Sequence, residues 1–328
     1  MGNRSTVVDA RPAPIALLGV VLALVLLGTL LSAPLPATAA TATAQQAGTL
    51  ARSADPRTGD DFPRMPRRCY ESDGVKLKDA PCRIVSYPRS RPTMVVWGDS
   101  HGWMYLPALR RLAKRKQVSL ILVIAGGCPP SLPLPADSGR GSCEVHNRRT
   151  LAFVTNLQQR RDRFEVLIGG FWSGYRQAYR MIQRERTGGP DSGLTPYQKH
   201  RAELAQKGAP KLFERLGELG LDVDVIGQAA TVPLDPATCA AGREPYQCDL
   251  PRAQALNAES DNRRWLRRQM KHLAGRPRLI DATPAYCSSQ VCLAHVGDAN
   301  TFFDDIHLGA ALTGTLTRYF APSFDDLL

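Results

Sequence analysis

Gly98-Asp99-Ser100-His101 closes an apolar run, and Asp304-Asp305-Ile306-His307 follows about two hundred residues later. A serine hydroxyl is a weak nucleophile at neutral pH. It needs a base within hydrogen-bond reach, and the base needs a third group to orient it. The two segments hold one of each: Ser100 as nucleophile, His307 as base and Asp304 as orienting carboxylate. In D-x-x-H, a loop entering a helix can present the carboxylate and the imidazole on one side. Asp305, two residues from His307, is the alternative orienter. Plainer roles compete. Asp99 and Ser100 are both good helix N-caps, and Asp304-Asp305 could be a solvated cap before a helix over 308–320. His101 is adjacent to Ser100, but neighbouring side chains at a helix start diverge by roughly 100°. It is therefore read as a substrate-side or supporting residue, or as a structural one.

These residues need a scaffold. Met94-Val95-Val96-Trp97 reads as a buried strand, Gly98 allows a tight turn, and 103–115 has helical spacing. Further strands are expected at 118–125, 164–171, 222–227 and 277–281, and further helices at 145–161, 196–219, 252–273 and 308–320. Five strands, each followed by a helix, predict an α/β fold: a three-layer α/β/α sandwich with a five-stranded parallel sheet, flavodoxin-like. Ser100 then falls at the carboxyl edge of the sheet, where open α/β folds bind ligands. Long loops are expected at 172–195 and 229–251. Donors for a developing oxyanion would be the Ser100 N–H and Gly126-Gly127, where glycine permits close backbone approach. Gly126-Gly127 could equally be an ordinary turn, and Cys128-Pro129-Pro130 would stiffen it. Trp172, closing the third strand, would wall the pocket, offer its indole N–H or simply pack.

The chain carries a formal charge of +12 and eight cysteines. Arg4 and Arg11 precede an apolar run from Ile15 to Ala33, and Ala37-Thr38-Ala39 and Ala42-Thr43-Ala44 follow as A-x-A sites. Residues 1–44 therefore read as a signal peptide or an uncleaved membrane anchor. Either exports the rest. Residues 45–68, polar and basic with Pro56, Pro63 and Pro66, read as a linker, and 69–328 as one domain. An even cysteine count in an exported chain suggests disulfides. Nearest-neighbour pairing gives Cys69–Cys82, Cys128–Cys143, Cys239–Cys248 and Cys287–Cys292. No C-x-x-C pair occurs and a hydroxyl site needs no metal, so neither metal nor cofactor is expected. Nothing accompanies the positive charge that would recognise nucleic acid. Arg263, Arg264, Arg267, Arg268 and Lys271 flank the apolar stripe Leu266, Met270 and Leu273, which makes them a solvated face.

Trp97-Gly98-Asp99-Ser100-His101, Pro107-Ala108-Leu109, Gly127-Cys128-Pro129-Pro130, Trp172, Asp281-Ala282-Thr283-Pro284 and Asp304-Asp305-x-His307-Leu308 together resemble the SGNH/GDSL hydrolase superfamily. More closely, they resemble the SGNH-like domain associated with acyltransferase-3 proteins, which O-acylate cell-surface sugars. The resemblance spans about residues 69–320. It implies that Ser100 is the nucleophile, His307 the base, Asp304 the orienter and Gly126 or Gly127 an oxyanion donor. The superfamily's usual third-block asparagine is absent here, and Trp172 and its neighbours occupy that region. The expected function is an extracytoplasmic O-acetyltransferase or O-acetylesterase acting on a cell-envelope glycan. Its partners would be the glycan, an acyl (acetyl) donor and, for transfer, a separate membrane acyltransferase; membrane contact would come through an uncleaved N-terminal segment. The alternative is a non-catalytic glycan-binding or partner-docking module, and a lipase or thioesterase is a third reading.

Overall fold

Alternation along the first parallel strand divides the core. In β2 (Thr93–Gly98), Met94 and Val96 face one apolar cluster while Val95 and Trp97 face the other. Successive strand residues point to opposite faces, so a strand buried on both faces must be apolar throughout. β3 (Ser119–Ile124) and β4 (Phe164–Gly169) follow the same rule. The computed structural model describes residues 61–71, 77–134, 142–160, 162–233 and 247–328. The expected leader over 1–44, most of the expected linker and Cys239 lie outside the described residues.

The central sheet has six strands in the order β1-β3-β2-β4-β5-β7, with β1 (Cys82–Val85), β5 (Val223–Ile226) and β7 (Leu279–Ile280) completing it. Five run parallel and match the expected strands. The sixth, β1, pairs antiparallel with β3 at the edge and corrects the expected five-stranded sheet. It is short and one-sided, with Arg83 exposed, so it lacks the apolar run that marks the other strands. β2 is the first parallel strand and has neighbours on both sides. The crossover direction therefore reverses at its carboxyl end, where such folds open a crevice.

Helices cover both faces. α1 (Ser100–Trp103) and α2 (Leu106–Lys116) follow β2, and α3 (Ser142–Gln159) follows β3. After β4 come α4 (Trp172–Arg186), α5 (Pro196–Glu203) and α6 (Ala209–Glu218). β6 (Leu250–Pro251), α7 (Arg252–Ala255) and α8 (Glu259–Met270) precede β7. β8 (Val291–Cys292), β9 (His295–Val296), β10 (Ala299–Asn300), α9 (Ala310–Thr313) and α10 (Thr317–Asp326) end the chain. Leu109 and Leu112 of α2 pack with Phe320 and Phe324 of α10 on one face of the sheet. Phe213 of α6 and Trp265 of α8 pack on the other. The basic residues Arg264, Arg267, Arg268 and Lys271 of the α8 segment are exposed, opposite buried Leu266, Met270 and Leu273, as their spacing implies.

Further expectations change, and the helices expected over 252–273 and 308–320 are each split in two, α7 with α8 and α9 with α10. The loop expected at 172–195 is the helix α4 as far as Arg186. Its apolar residues recur at Tyr175, Ala178, Met181 and Ile182, a helical spacing obscured by four arginines and Gly174. The single helix expected over 196–219 is interrupted by a π-turn, Leu204–Gly208. There Gly208 lies so close to the loop after β3 that a Cβ would come 2.4 Å from the Leu132 carbonyl oxygen. Finally, residues 61–68 are not linker. Met65 is buried in the core, Phe62 packs on it, and the Asp61 carboxylate and carbonyl accept from Ala311 N–H (3.0 Å) and Ala310 N–H (2.7 Å) at the start of α9. Pro63 and Pro66 mark a rigid strap here, not a free tether.

Disulfides join Cys69 to Cys82, Cys128 to Cys143 and Cys287 to Cys292. Cys248 is also disulfide-bonded, while Cys239 of the fourth expected pair lies outside the described residues. Such usage fits an oxidising, extracytoplasmic setting. Among the described residues, no helix is long and apolar enough to cross a membrane.

Candidate active site

β2 ends where three backbones touch. A Cβ on Gly98 would sit 2.2 Å from the Gly169 carbonyl oxygen, and one on Gly169 would sit 2.8 Å from Gly102 Cα. Only glycine permits that approach of β2, β4 and α1. Asp99 then turns the chain. Its Oδ1 accepts from His101 N–H (2.8 Å), capping α1, while Oδ2 accepts from Phe171 N–H (2.9 Å) and the Tyr175 hydroxyl (2.6 Å). One wholly buried carboxylate thus ties the end of β2 to the start of α4. Burial raises its pKa, opposed by the hydrogen bonds from Tyr175, Phe171 and His101 and by the nearby charge of His307. Capping and chemistry are not rivals at this corner, since Asp99 caps and Ser100 occupies the first helical position.

Ser100 Oγ lies 2.7 Å from His307 Nε2, bridging a sequence separation of 207. On the other side of the ring, His307 Nδ1 lies 2.9 and 2.8 Å from the two oxygens of Asp304. A carboxylate only accepts, so Nδ1 carries the proton, Nε2 offers a lone pair and the Ser100 hydroxyl donates to it. Asp304 also accepts from Ile306 N–H (2.9 Å) and His307 N–H (2.8 Å), which folds the D-x-x-H loop onto itself. Burial pushes the Asp304 pKa up, but hydrogen bonds and charge from His307 and the backbone outweigh this and hold it below the usual value. Asp305 is exposed and its carbonyl accepts from Val232 N–H at 2.7 Å; Asp304 is the partner of the ring. Phe62 of the strap packs edge-on to His307, with ring centres 5.1 Å apart.

His101 points elsewhere. Its ring stacks on Phe171 at 4.4 Å, and its centre lies 5.2 Å from that of His307. Burial, reinforced by His307, drives its pKa well below the ordinary value, so it is a neutral ring. It lines a cavity of ≈ 410 Å³ together with Ser100, Gly127, Phe171, Tyr175 and Met181. Gly127 has φ +65° and takes the third place of a turn closed by Cys128 N–H to the Ala125 carbonyl (3.0 Å), where a left-handed residue is required. The Cys128–Cys143 bridge and Asn147 hold this loop. Asn147 accepts from Trp97 Nε1–H (2.9 Å) and donates to the Pro129 carbonyl (2.9 Å) and Ser131 Oγ (3.1 Å).

Of the two expected glycines, Gly127 shares the cavity with Ser100, while Gly126 opens on a neighbouring one. Trp172 is a correction. It packs between Phe213 and Trp265 in the core, with ring centres 6.4 and 5.7 Å away, and lies outside the cavity lining. Phe171, one residue earlier, supplies the wall. Sequence reasoning also missed Tyr175, Met181 and Arg201, which reach the cavity from α4 and α5. The helical spacing of Tyr175, Ala178 and Met181 was the available signal. Among the described residues no cluster of His, Cys, Asp and Glu could hold a metal ion. The arrangement has the parts for hydroxyl activation by an imidazole beside an apolar cavity.

Residues 68–322 match the family described as "SGNH domain (fused to AT3 domains)". Among curated proteins, none matches the chain. A solved structure, the periplasmic domain of a Salmonella ser. Paratyphi A lipopolysaccharide acetyltransferase, is similar over 72% of this chain and 84% of that one, at 16% identity and a TM-score of 0.47.

Proposed function

The chain belongs to the SGNH domain family, and on that premise we propose that it is an extracytoplasmic serine acyl-transfer enzyme acting on O-acyl groups, acetyl foremost, of a cell-envelope glycan. The observation that carries this reading is the hydrogen-bonded series Ser100–His307–Asp304, with Oγ 2.7 Å from Nε2 and the cavity opening beside it. Ser100 Oγ attacks the carbonyl of an acyl ester and its proton passes to His307 Nε2. The tetrahedral oxyanion is met by backbone N–H groups, for which the Ser100 and Gly127 amides are the candidates. Collapse breaks the ester C–O bond; the leaving alcohol takes the proton from His307, and an acyl-serine remains. A second hydroxyl then gives its proton to Nε2 and attacks the acyl carbonyl, and Ser100 leaves with that proton. A sugar hydroxyl in this step completes transfer, and water completes hydrolysis. Any partner membrane acyltransferase would supply the acyl donor from the other side of the envelope membrane.

The test is release of p-nitrophenol from p-nitrophenyl acetate by the purified chain, followed by addition of sugar acceptors. Turnover that disappears in Ser100→Ala is the expected result. A wild-type chain that neither turns over the ester nor reacts with a fluorophosphonate probe would overturn the reading and leave a glycan-binding module.

A further inference from the structure

Two cavities back onto each other across the Gly126-Gly127 turn. The one beside Ser100 is ≈ 410 Å³, and its neighbour is ≈ 590 Å³. The same three elements wall both. α1 gives Ser100 and His101 to the first and Trp103 to the second; the turn gives Gly127 and Gly126 respectively; α5 gives Gln198 and Arg201 to the first and Tyr197 to the second. Arg201 forms the partition. Its guanidinium lies 3.6 Å from the centre of the Tyr197 ring, bonds the Tyr197 hydroxyl, and reaches the Gly126 carbonyl at 3.4 Å.

The linings differ in chemistry. Phe171, Ala178, Met181, Leu194 and Ile306 make the first largely apolar. The second joins apolar Leu77, Ile124 and Val145 to an indole and a phenol, with the carboxylate of Glu71, the ammonium of Lys78 and the Asp79 carboxylate, which His146 and Arg149 already engage. Tyr197 is 48% exposed, unusually open for a large apolar side chain in this chain. Flat aromatic faces beside mixed carboxylate and ammonium groups suit a sugar ring, whose C–H face is apolar and whose hydroxyls both donate and accept.

We propose that the second cavity is the acceptor subsite, which seats a sugar residue of the glycan over Trp103 and Tyr197 and offers a hydroxyl across the Gly126-Gly127 turn to the acyl group on Ser100. This inference rests on the acyl-transfer reading above and adds to it where the acceptor lies. The first cavity then holds the acyl chain, so acceptor and acyl group enter from different sides.

The experiment has two arms, each with methyl α-glucoside, methyl α-galactoside and methyl α-mannoside as probes. In the first, the chain is acylated by p-nitrophenyl acetate and the ratio of acetylated glycoside to free acetate is read by mass spectrometry. Trp103→Leu and Tyr197→Ala are expected to lower that ratio at least fivefold, whatever the absolute rate. A ratio unchanged in both variants, or absent in the wild type while acetate is released normally, overturns the acceptor assignment. The second arm uses Ser100→Ala, which cannot do chemistry, and follows the Trp103 indole and Tyr197 ring signals by NMR as glycoside is added. Shifts confined to these residues support the subsite even if no ester turns over. Shifts at Phe171 and Met181 instead would place the sugar in the first cavity and overturn it. Failure of ester turnover alone counts against the function, not against the subsite.

Discussion

At the carboxyl edge of the sheet, Asp99 is fully buried and receives three donors, from His101, Phe171 and Tyr175. At the amino edge, Glu165 is 5% exposed, has an oxygen with no partner, and hydrogen-bonds through the other with Asp224 of the adjacent strand. Burial first, then the charge of Asp224 and a hydrogen bond with it, push the Glu165 pKa up to about 9. Asp224 keeps its own donors, Arg278 N–H at 2.6 Å and the Ser323 hydroxyl at 2.5 Å. A buried carboxyl must be satisfied or neutralised. The carboxyl edge satisfies it with donors drawn from two segments, and so spends the group on positioning. The amino edge neutralises it with a proton. A cavity of ≈ 390 Å³ opens there too, lined by Glu165, Asp224, Arg276 and Arg278. Yet it brings no hydroxyl and imidazole together, so the size of a cavity does not distinguish the two ends. The hydrogen-bond pattern does.

Changing the donors and acceptors at each edge tests this contrast. The largest effect is expected from Asp304→Asn. The amide can turn an N–H toward His307 Nδ1 and favour the tautomer with the proton on Nε2, where Ser100 must deliver its own. Ester turnover should fall roughly 10⁴-fold. The side chain is 42% exposed, so the unfolding free energy should move by less than about 1 kcal/mol. Turnover within tenfold of wild type would show that Asp304 does not orient the ring. Asp99→Ala comes next. It leaves two N–H groups and a phenol buried without an acceptor, at about 1–3 kcal/mol each before relaxation. A loss of about 3–5 kcal/mol in urea unfolding is expected, with Asp99→Asn losing less because one oxygen still accepts. An unchanged midpoint in Asp99→Ala would mean the carboxylate is no clamp.

Sequence and structure agree most where chemistry is local. Ser100 after a strand and Asp304 three residues before His307 are each readable from spacing. Their meeting is not, because no pattern spans 207 residues; it follows only from the alternation of strands and helices. Elements with mixed faces were harder to read. α4 carries Trp172 and Ile182 into the core and Met181 into the cavity, while Arg176 lies over Trp265 and Arg184 and Arg186 are exposed. Its apolar stripe is therefore split between two surfaces and reads as loop. The Asp61–Met65 strap looks like a tether because Pro63 and Pro66 break any period, although Phe62 touches His307. Trp172 fails for the opposite reason. A tryptophan beside a site suggests a wall, but here the backbone turns at Phe171 and sends the indole into the core.

The most diagnostic effect belongs to Glu165. Its folded-state pKa of about 9 stands well above the ordinary glutamate value of 4.5. Between these pH values the folded chain holds a proton that the unfolded chain has released, so stability falls as pH rises. The contribution is complete below about pH 4.5 and gone above about pH 9. Asp304 runs the other way. Its pKa is held below 3.8, so its contribution is present above that pH and is lost as acid reaches its folded pKa. Glu165→Gln keeps the shape and a hydrogen-bonding head but cannot ionise. Urea midpoints at pH 5, 7 and 9 should therefore decline less steeply in the variant than in wild type. The two should nearly coincide at pH 5, with the variant the more stable at pH 9. Ester turnover, set at the opposite edge, should keep its wild-type pH profile wherever both chains are folded. A variant whose stability declines as steeply as wild type would place the alkaline loss elsewhere. A shifted pH profile of turnover would show that the two edges are coupled through β4, whose residues run from Glu165 at one end to Gly169 at the other.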